Sequence, residues 1–207
     1  LSALCVEWAS EEFLAVDTEF ERTSTFYARI GLLQIADSKR CYLIDPLSID
    51  DWSGFKQLLS TPSCTLVMHS CSEDLSLLQT FLGCLPVSLF DTQLAAAFLG
   101  IGFSISYQAL IEQLLGITVA KDETRSDWIK RPLTEKQIHY AAADVRYLLQ
   151  VREILSNQIE QKGMTNWLRA ESAQQLVNAQ RLEQESQWES YYTGFSNAWR
   201  LDTQGLQ

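Results

Sequence analysis

The chain has 207 residues, of which 46% are hydrophobic, 20% charged and 11% aromatic, with nine Gly and four Pro. That composition excludes a fibre or a disordered chain and suits one core of ordinary domain size with a short appendage. A net charge of −10 argues against simple electrostatic adhesion to nucleic acid.

The apolar runs, Leu94 to Leu99 among them, fall far short of the roughly 20 residues that cross a bilayer, so no membrane partner is expected. The chain opens at Leu1 without a basic segment leading into an apolar one, which predicts no secretory signal and a native start further upstream. Five Cys, at positions 5, 41, 64, 71 and 84, follow no metal-ligand spacing. They read as free thiols in a reducing compartment, by default the cytoplasm.

Leu14 to Val16 is an apolar strand running into the acids of Asp17-Thr18-Glu19-Phe20. Ile30 to Ala36 and Cys41 to Ile44 read as the next two strands, joined by the polar hairpin Asp37-Ser38-Lys39-Arg40. Asp45-Pro46 ends that meander, and Trp52 to Leu59 is a short amphipathic helix. Thr65 to Met68 is a continuous apolar strand of the kind buried on both faces. Ser72 is the expected N-cap of a helix through Leu82 that closes at Gly83. Val87 to Phe90 makes a short strand, followed by helices over Thr92–Leu99 and Tyr107–Leu115, the second stopped by Gly116.

A polar loop spans Lys121 to Pro132. Thr134-Glu135-Lys136-Gln137 matches a capping box, and the helix it starts is expected to run to about Gln158. Beyond Gly163 a Gln- and Glu-rich, weakly amphipathic helix over Ala170–Trp188 is expected to pack on the outside. The order of elements describes an α/β fold, a mixed sheet flanked by helices. The expected division is residues 1–160 for the main domain and 161–207 for a helical extension.

Asp17 and Glu19 stand two apart on a strand, so both emerge on one face. Two carboxylates side by side at the end of an apolar strand repel each other and lose hydration unless a cation compensates; a lone pair of this kind is otherwise an ordinary solvated strand end. Tyr140 and Asp144 stand four apart on a helix, hence on one face. Ile138, Ala142, Val145 and Leu149 form the expected core stripe, with Tyr140, Asp144 and Tyr147 on a separate one. Asp74, in His69-Ser70-Cys71-Ser72-Glu73-Asp74-Leu75, lies in a first helical turn, where it also complements the helix dipole.

Taken in order, an early Asp-x-Glu strand, an acid at a later strand-to-helix junction and a late Tyr-x-x-x-Asp helix form the DEDD pattern of exonucleases, in its tyrosine subclass. The chain resembles ribonuclease D in Val-Asp-Thr-Glu-Phe, Tyr-Ala-Arg-Ile-Gly-Leu-Leu-Gln-Ile, His-Ser-Cys-Ser-Glu-Asp-Leu, Phe-Asp-Thr-Gln, Ser-Asp-Trp-Ile-Lys-Arg-Pro-Leu and Tyr-Ala-Ala-Ala-Asp-Val. The resemblance runs from about Phe13 to about Leu155.

It implies a ribonuclease-H-like fold and a 3′-5′ exoribonuclease that releases nucleoside 5′-monophosphates, with tRNA 3′-end maturation as the role and RNA with a free 3′ end as the partner. Asp17, Glu19, Asp74 and Asp144 would be the metal carboxylates and Tyr140 the residue that orients the attacking water. Thr18 and Phe20 would touch the terminal nucleotide. The resemblance also places Asn197-Ala198-Trp199 near the start of a first HRDC helical domain. Such domains are therefore expected to be missing from this chain, with weak RNA binding as the result.

The chemistry agrees with that assignment. Two divalent ions about 4 Å apart answer both an anionic electrophile and a poor leaving group. Carboxylate oxygens select Mg²⁺ or Mn²⁺ over Zn²⁺. His69 is either a cleft residue or a hydrogen-bonded strand-end histidine. Lys121, Arg125 and Arg131 contact phosphates or belong to a solvated loop, while Trp128 either stacks a base or, the preferred reading, anchors that loop onto the core. A monomer is expected. Two rival functions remain at this stage: a DEDD exonuclease acting on DNA, and a non-catalytic RNA-binding module.

Overall fold

Side chains alternate along β1 (Phe13–Glu21), and the two sets they form organise everything packed around that strand. In the computed structural model, which describes residues 1–22, 28–119 and 126–184, β1 is the middle strand of a five-stranded sheet ordered β3-β2-β1-β4-β5. It runs antiparallel to β2 (Arg29–Ala36), which pairs antiparallel with β3 (Cys41–Ile44), and parallel to β4 (Thr65–Met68), which pairs parallel with β5 (Leu89–Asp91). The mixed sheet flanked by helices is the expected fold class.

Leu14 and Val16 of β1 share one face with Leu33, Ile35, Leu66 and Met68. They pack on Trp8 of α1 (Ser2–Trp8), Phe55 and Leu59 of α2 (Ser53–Leu59), and Leu75 and Leu78 of α3 (Ser72–Leu82). The opposite face is lined by small residues, Ala15, Ala36 and Val67. They admit α4 (Thr92–Phe98), α5 (Tyr107–Leu115) and α7 (Leu148–Gln161) through Ala95, Leu110, Leu148, Val151 and Leu155. On that second face Leu32 also meets Trp128 and Ala141. Ala141 belongs to α6 (Glu135–Arg146), which lies across β1, β2 and β3.

The hairpin at 37–40 forms as expected because Asp37 Oδ1 accepts from the amides of Lys39 and Arg40 at 2.7 and 2.8 Å. Gly83 and Gly116 end their helices in the left-handed conformation, with φ of 71° and 68°. Thr134 and Gln137 complete the capping box of α6, a device that contributes about 1 kcal/mol.

Four expectations need correction. Ser72 is the first residue of α3 and Cys71 occupies the cap position without a side-chain cap bond, because Cys71 is held through its amide and thiol by Asp91. The short strand falls at Leu89–Asp91 rather than 87–90, with Val87 half exposed. The long helix after the capping box is two helices, broken at Tyr147, whose amide turns to the Tyr107 hydroxyl. The buried stripe of α6 is Gln137, Ala141, Asp144 and Val145, while Ile138 is 43% exposed. The acid thus lies within the packed face rather than on a stripe of its own.

The expected boundary at 160 also divides a packed unit. Helix α8 (Thr165–Gln184) lies against α3, β5 and α4, with Leu168, Ser172 and Ala179 buried. Residues 185–207, including Asn197-Ala198-Trp199, are outside the described residues. No helix among the described residues is long and apolar enough to cross a membrane.

Candidate active site

β1 outruns its neighbour. Its pairing with β4 stops at Ala15↔Val67, whereas its pairing with β2 continues through Asp17↔Gln34 to Glu21↔Arg29, with a bulge between Glu19 and Phe20. Asp17 and Glu19 therefore project from the part of the strand that extends beyond β4, on the face covered by α6. The site lies at the carboxyl end of the parallel strands, where open α/β sheets bind their ligands.

α6 brings Asp144 down onto that face. Carboxylate oxygens of Asp17, Glu19 and Asp144 lie within 4.8 Å of one another. Asp74, in the first turn of α3, accepts a hydrogen bond from the Thr18 hydroxyl. It lies close enough to raise the pKa of both Asp17 and Glu19, but it is not part of that tight trio. Tyr140 lies close enough to Asp144 for each to shift the other's pKa, and its ring rests on Trp128, centroids 6.1 Å apart. The five expected residues are thus brought together, with Asp74 standing off and committed to Thr18.

Burial dominates the electrostatics. Asp17 is held well above the ordinary carboxylate range, first by loss of hydration and then by the charges of Asp74, Asp144 and Glu19. Glu19 is pushed up to about 9 by the same causes, Asp144 to about 7 by desolvation, and Asp74 to about 6 by desolvation against the lowering bond from Thr18. The charges acting most strongly on Asp17 and Glu19 are other carboxylates. Such a donor set fits hard divalent cations, which take oxygen ligands and remove the mutual repulsion. The Tyr140 phenol is also raised, by burial and by Asp144 and Glu19, so it keeps its proton at neutral pH.

The expected substrate contacts fare differently. Thr18 is buried and its hydroxyl serves Asp74. Phe20 is half-buried against the larger core with Arg22 over its ring. His69 uses both ring nitrogens internally, toward Thr92 at 2.9 Å and the Ile105 carbonyl at 3.1 Å, which makes it a structural histidine. Lys121 and Arg125 lie outside the described residues.

Arg131 is not a phosphate contact. Its Nε and Nη2 donate to Asp45 at 2.8 and 2.7 Å, Nη2 also to the Gly31 carbonyl at 2.6 Å, and Nη1 to the Trp128 and Lys130 carbonyls at 2.8 and 3.1 Å. All of its N–H groups are engaged within the protein. It ties the 128–131 segment to β2, and Trp128, 1% exposed, anchors that loop as expected.

Sequence reasoning missed Asp91. This buried carboxylate caps α4 through the amides of Gln93 and Leu94. It also accepts from the amides of Ser70 and Cys71, at 3.0 and 3.3 Å, and from Gln175 of α8 at 3.0 Å. It fixes the junction at which Ser70 adopts φ 57° and from which α3 presents Asp74. Its position just before a helix start in Phe-Asp-Thr-Gln was the available signal.

Residues 1–160 match the profile of a family described as 3′-5′ exonuclease. A ribonuclease D of Pseudomonas paraeruginosa is 45% identical over 206 residues, covering 100% of this chain and 54% of that protein. The crystal structure of Escherichia coli RNase D, described as an exoribonuclease involved in structured RNA processing, has a TM-score of 0.87 to this chain. It is 40% identical and covers 99% of this chain and 54% of its own. Brucella melitensis NrnC, solved with bound Mg²⁺, shares the fold at a TM-score of 0.78 and 22% identity over 88% of this chain and 90% of that one.

The sheet order, its helical flanks and the matched profile define the class: the chain belongs to the 3′-5′ exonuclease family. Within that family it is a member of the ribonuclease D group. It spans about half the length of the ribonuclease D proteins it matches.

Proposed function

We propose that this chain carries the catalytic domain of a 3′-5′ exoribonuclease. It would hydrolyse RNA from a free 3′ end to nucleoside 5′-monophosphates, with tRNA precursors as substrates, acting as a monomer in the cytoplasm. The observation that carries this reading is the convergence of Asp17, Glu19 and Asp144 within 4.8 Å in a chain of this family. Asp17, Glu19 and Asp144, with Asp74 beside them, would hold two divalent ions, Mg²⁺ or Mn²⁺. Bound there, such ions neutralise the phosphodiester and stabilise the departing 3′-oxygen.

The protein's own groups supply position. Tyr140 keeps its phenolic proton beside Asp144, and its ring is supported by Trp128. It can therefore hydrogen-bond an attacking water and set its line of approach. The capping box at Thr134 and the burial of Ala141 and Val145 hold α6 rigid, so Tyr140 and Asp144 keep their separation.

The test is digestion of 5′-labelled single-stranded RNA with Mg²⁺ or Mn²⁺, alongside the matched DNA. A descending ladder from the 3′ end that stops on adding EDTA supports the reading. Internal fragments would indicate an endonuclease, equal or faster DNA cleavage would overturn the RNA assignment, and binding without cleavage would leave a non-catalytic module.

A further inference from the structure

Gln34 lies on β2 directly opposite Asp17. Opposed residues of an antiparallel pair emerge on the same face with Cβ atoms about 4.5–5.5 Å apart. Gln34 is 0% exposed, and neither its Nε2 nor its Oε1 has a hydrogen-bond partner among the described residues. Buried carboxamides are almost always paired, so one with both ends free calls for a reason.

Its surroundings on that face narrow the choice. Leu32 and Ala36 flank it along β2, Leu43 stands opposite on β3, and α6 covers the three strands. Asp17 is the polar side chain directly across the pair. A glutamine in so apolar a place is poorly suited to packing alone, since Met or Leu would fill the volume without an amide to satisfy. Its burial beneath α6 also keeps it from touching RNA.

We propose that Gln34 is a positioning residue for Asp17: its carboxamide N–H donates to the Asp17 carboxylate and orients it to bind the divalent cation. The proposal rests on the metal-ligand reading of Asp17 given above. The terminal torsion of a glutamine is broad, so the amide turns toward Asp17 without backbone movement. Ligating carboxylates are themselves held by such outer hydrogen bonds, and loss of one typically weakens metal binding about 10–100-fold.

The experiment is calorimetric titration of Mn²⁺ into the metal-free 207-residue chain, comparing wild type, Gln34→Met and Asp144→Ala. Gln34→Met keeps the volume and deletes the amide. Its melting temperature should equal or exceed that of wild type, and its Mn²⁺ affinity should fall about 10–100-fold. Unchanged Mn²⁺ affinity in a folded Gln34→Met chain overturns the proposal while leaving the metal site intact. If the wild-type chain binds no Mn²⁺, the metal reading falls and this one with it.

Should Gln34→Met not fold, the side-chain amide of Gln34 in ¹⁵N-labelled wild type decides. A shift of its resonance on adding Mg²⁺ supports the bond to Asp17, and an unmoved resonance refutes it.

Discussion

The Thr18 hydroxyl donates to the Asp74 carboxylate, so a residue of β1 that points away from Asp17 and Glu19 governs the acid on α3. Thr18→Val keeps the shape and removes the donor. Because the bond lowers the Asp74 pKa, now about 6, its loss should raise that value. The acidic limb of the pH–rate profile should move to higher pH, with the loss of activity greatest below neutral pH and small above it. An unmoved acidic limb would show that Asp74 titration does not control the reaction.

The raised carboxylates also set a stability trend. In the folded, metal-free protein Glu19 holds its proton to about 9, Asp144 to about 7 and Asp74 to about 6, whereas the unfolded chain loses them near pH 4. Between those limits the folded state binds more protons, so stability falls as pH rises, and the fall ends near pH 9. Melting curves in EDTA should show that decline from pH 5 to 9. Added Mg²⁺ should raise the melting temperature most at the alkaline end, since metal displaces the protons. A flat profile in EDTA would contradict the burial of these acids.

A Cβ placed on Gly31 would lie 2.6 Å from the Trp128 carbonyl oxygen and 2.7 Å from its Cβ. Gly31→Ala should therefore push Trp128 away from β2, and with it the ring that supports Tyr140. The expected loss is about 1–3 kcal/mol of stability, seen in denaturant melts, together with a lower kcat. Wild-type stability would mean that the 128–131 segment yields freely.

Arg131→Ala removes five N–H donors from a partly buried ion pair. It takes these donors from the Gly31, Trp128 and Lys130 carbonyls and leaves Asp45 with the Leu47 amide. A loss of about 3 kcal/mol is expected, or roughly 6–12 °C in melting temperature for a chain of this size. The salt dependence of RNA binding should not change. A shallower salt slope would restore the phosphate contact that the structure excludes.

Asp144→Ala and Tyr140→Phe separate two roles. The first should reduce turnover by roughly 10³-fold or more by removing a metal carboxylate. The second keeps the ring on Trp128 and loses only the hydroxyl, for about 10²-fold in kcat with metal affinity unchanged. Equal metal affinity in Asp144→Ala and wild type would remove Asp144 from the ligand set.

Much of this was legible in the sequence because it depends on local rules. The period of two along Leu14 to Glu19, the hairpin at 37–40, the glycine stops at 83 and 116 and the capping box at 134 are all written within a few residues. The break at Tyr147 was not, since it follows from a hydroxyl contributed by α5, forty positions earlier. Ile138 was mistaken for core because α6 meets the sheet at Ala141 and Asp144, a rotation set by β2 and Trp128. Arg131 and His69 look like free cleft groups in a string of letters. Their partners, Asp45, Gly31, Thr92 and Ile105, become neighbours only once the chain is folded.

Helix α8 reaches across to Asp91 through Gln175, although the family profile ends at residue 160. A module borrowed for a fusion protein and trimmed at that point would keep every catalytic side chain. It would also expose the flank of α3 and surrender one clasp on the junction that aims Asp74. The portable unit is longer than the stretch that the family profile outlines, and a graft should carry the chain through at least Gln184.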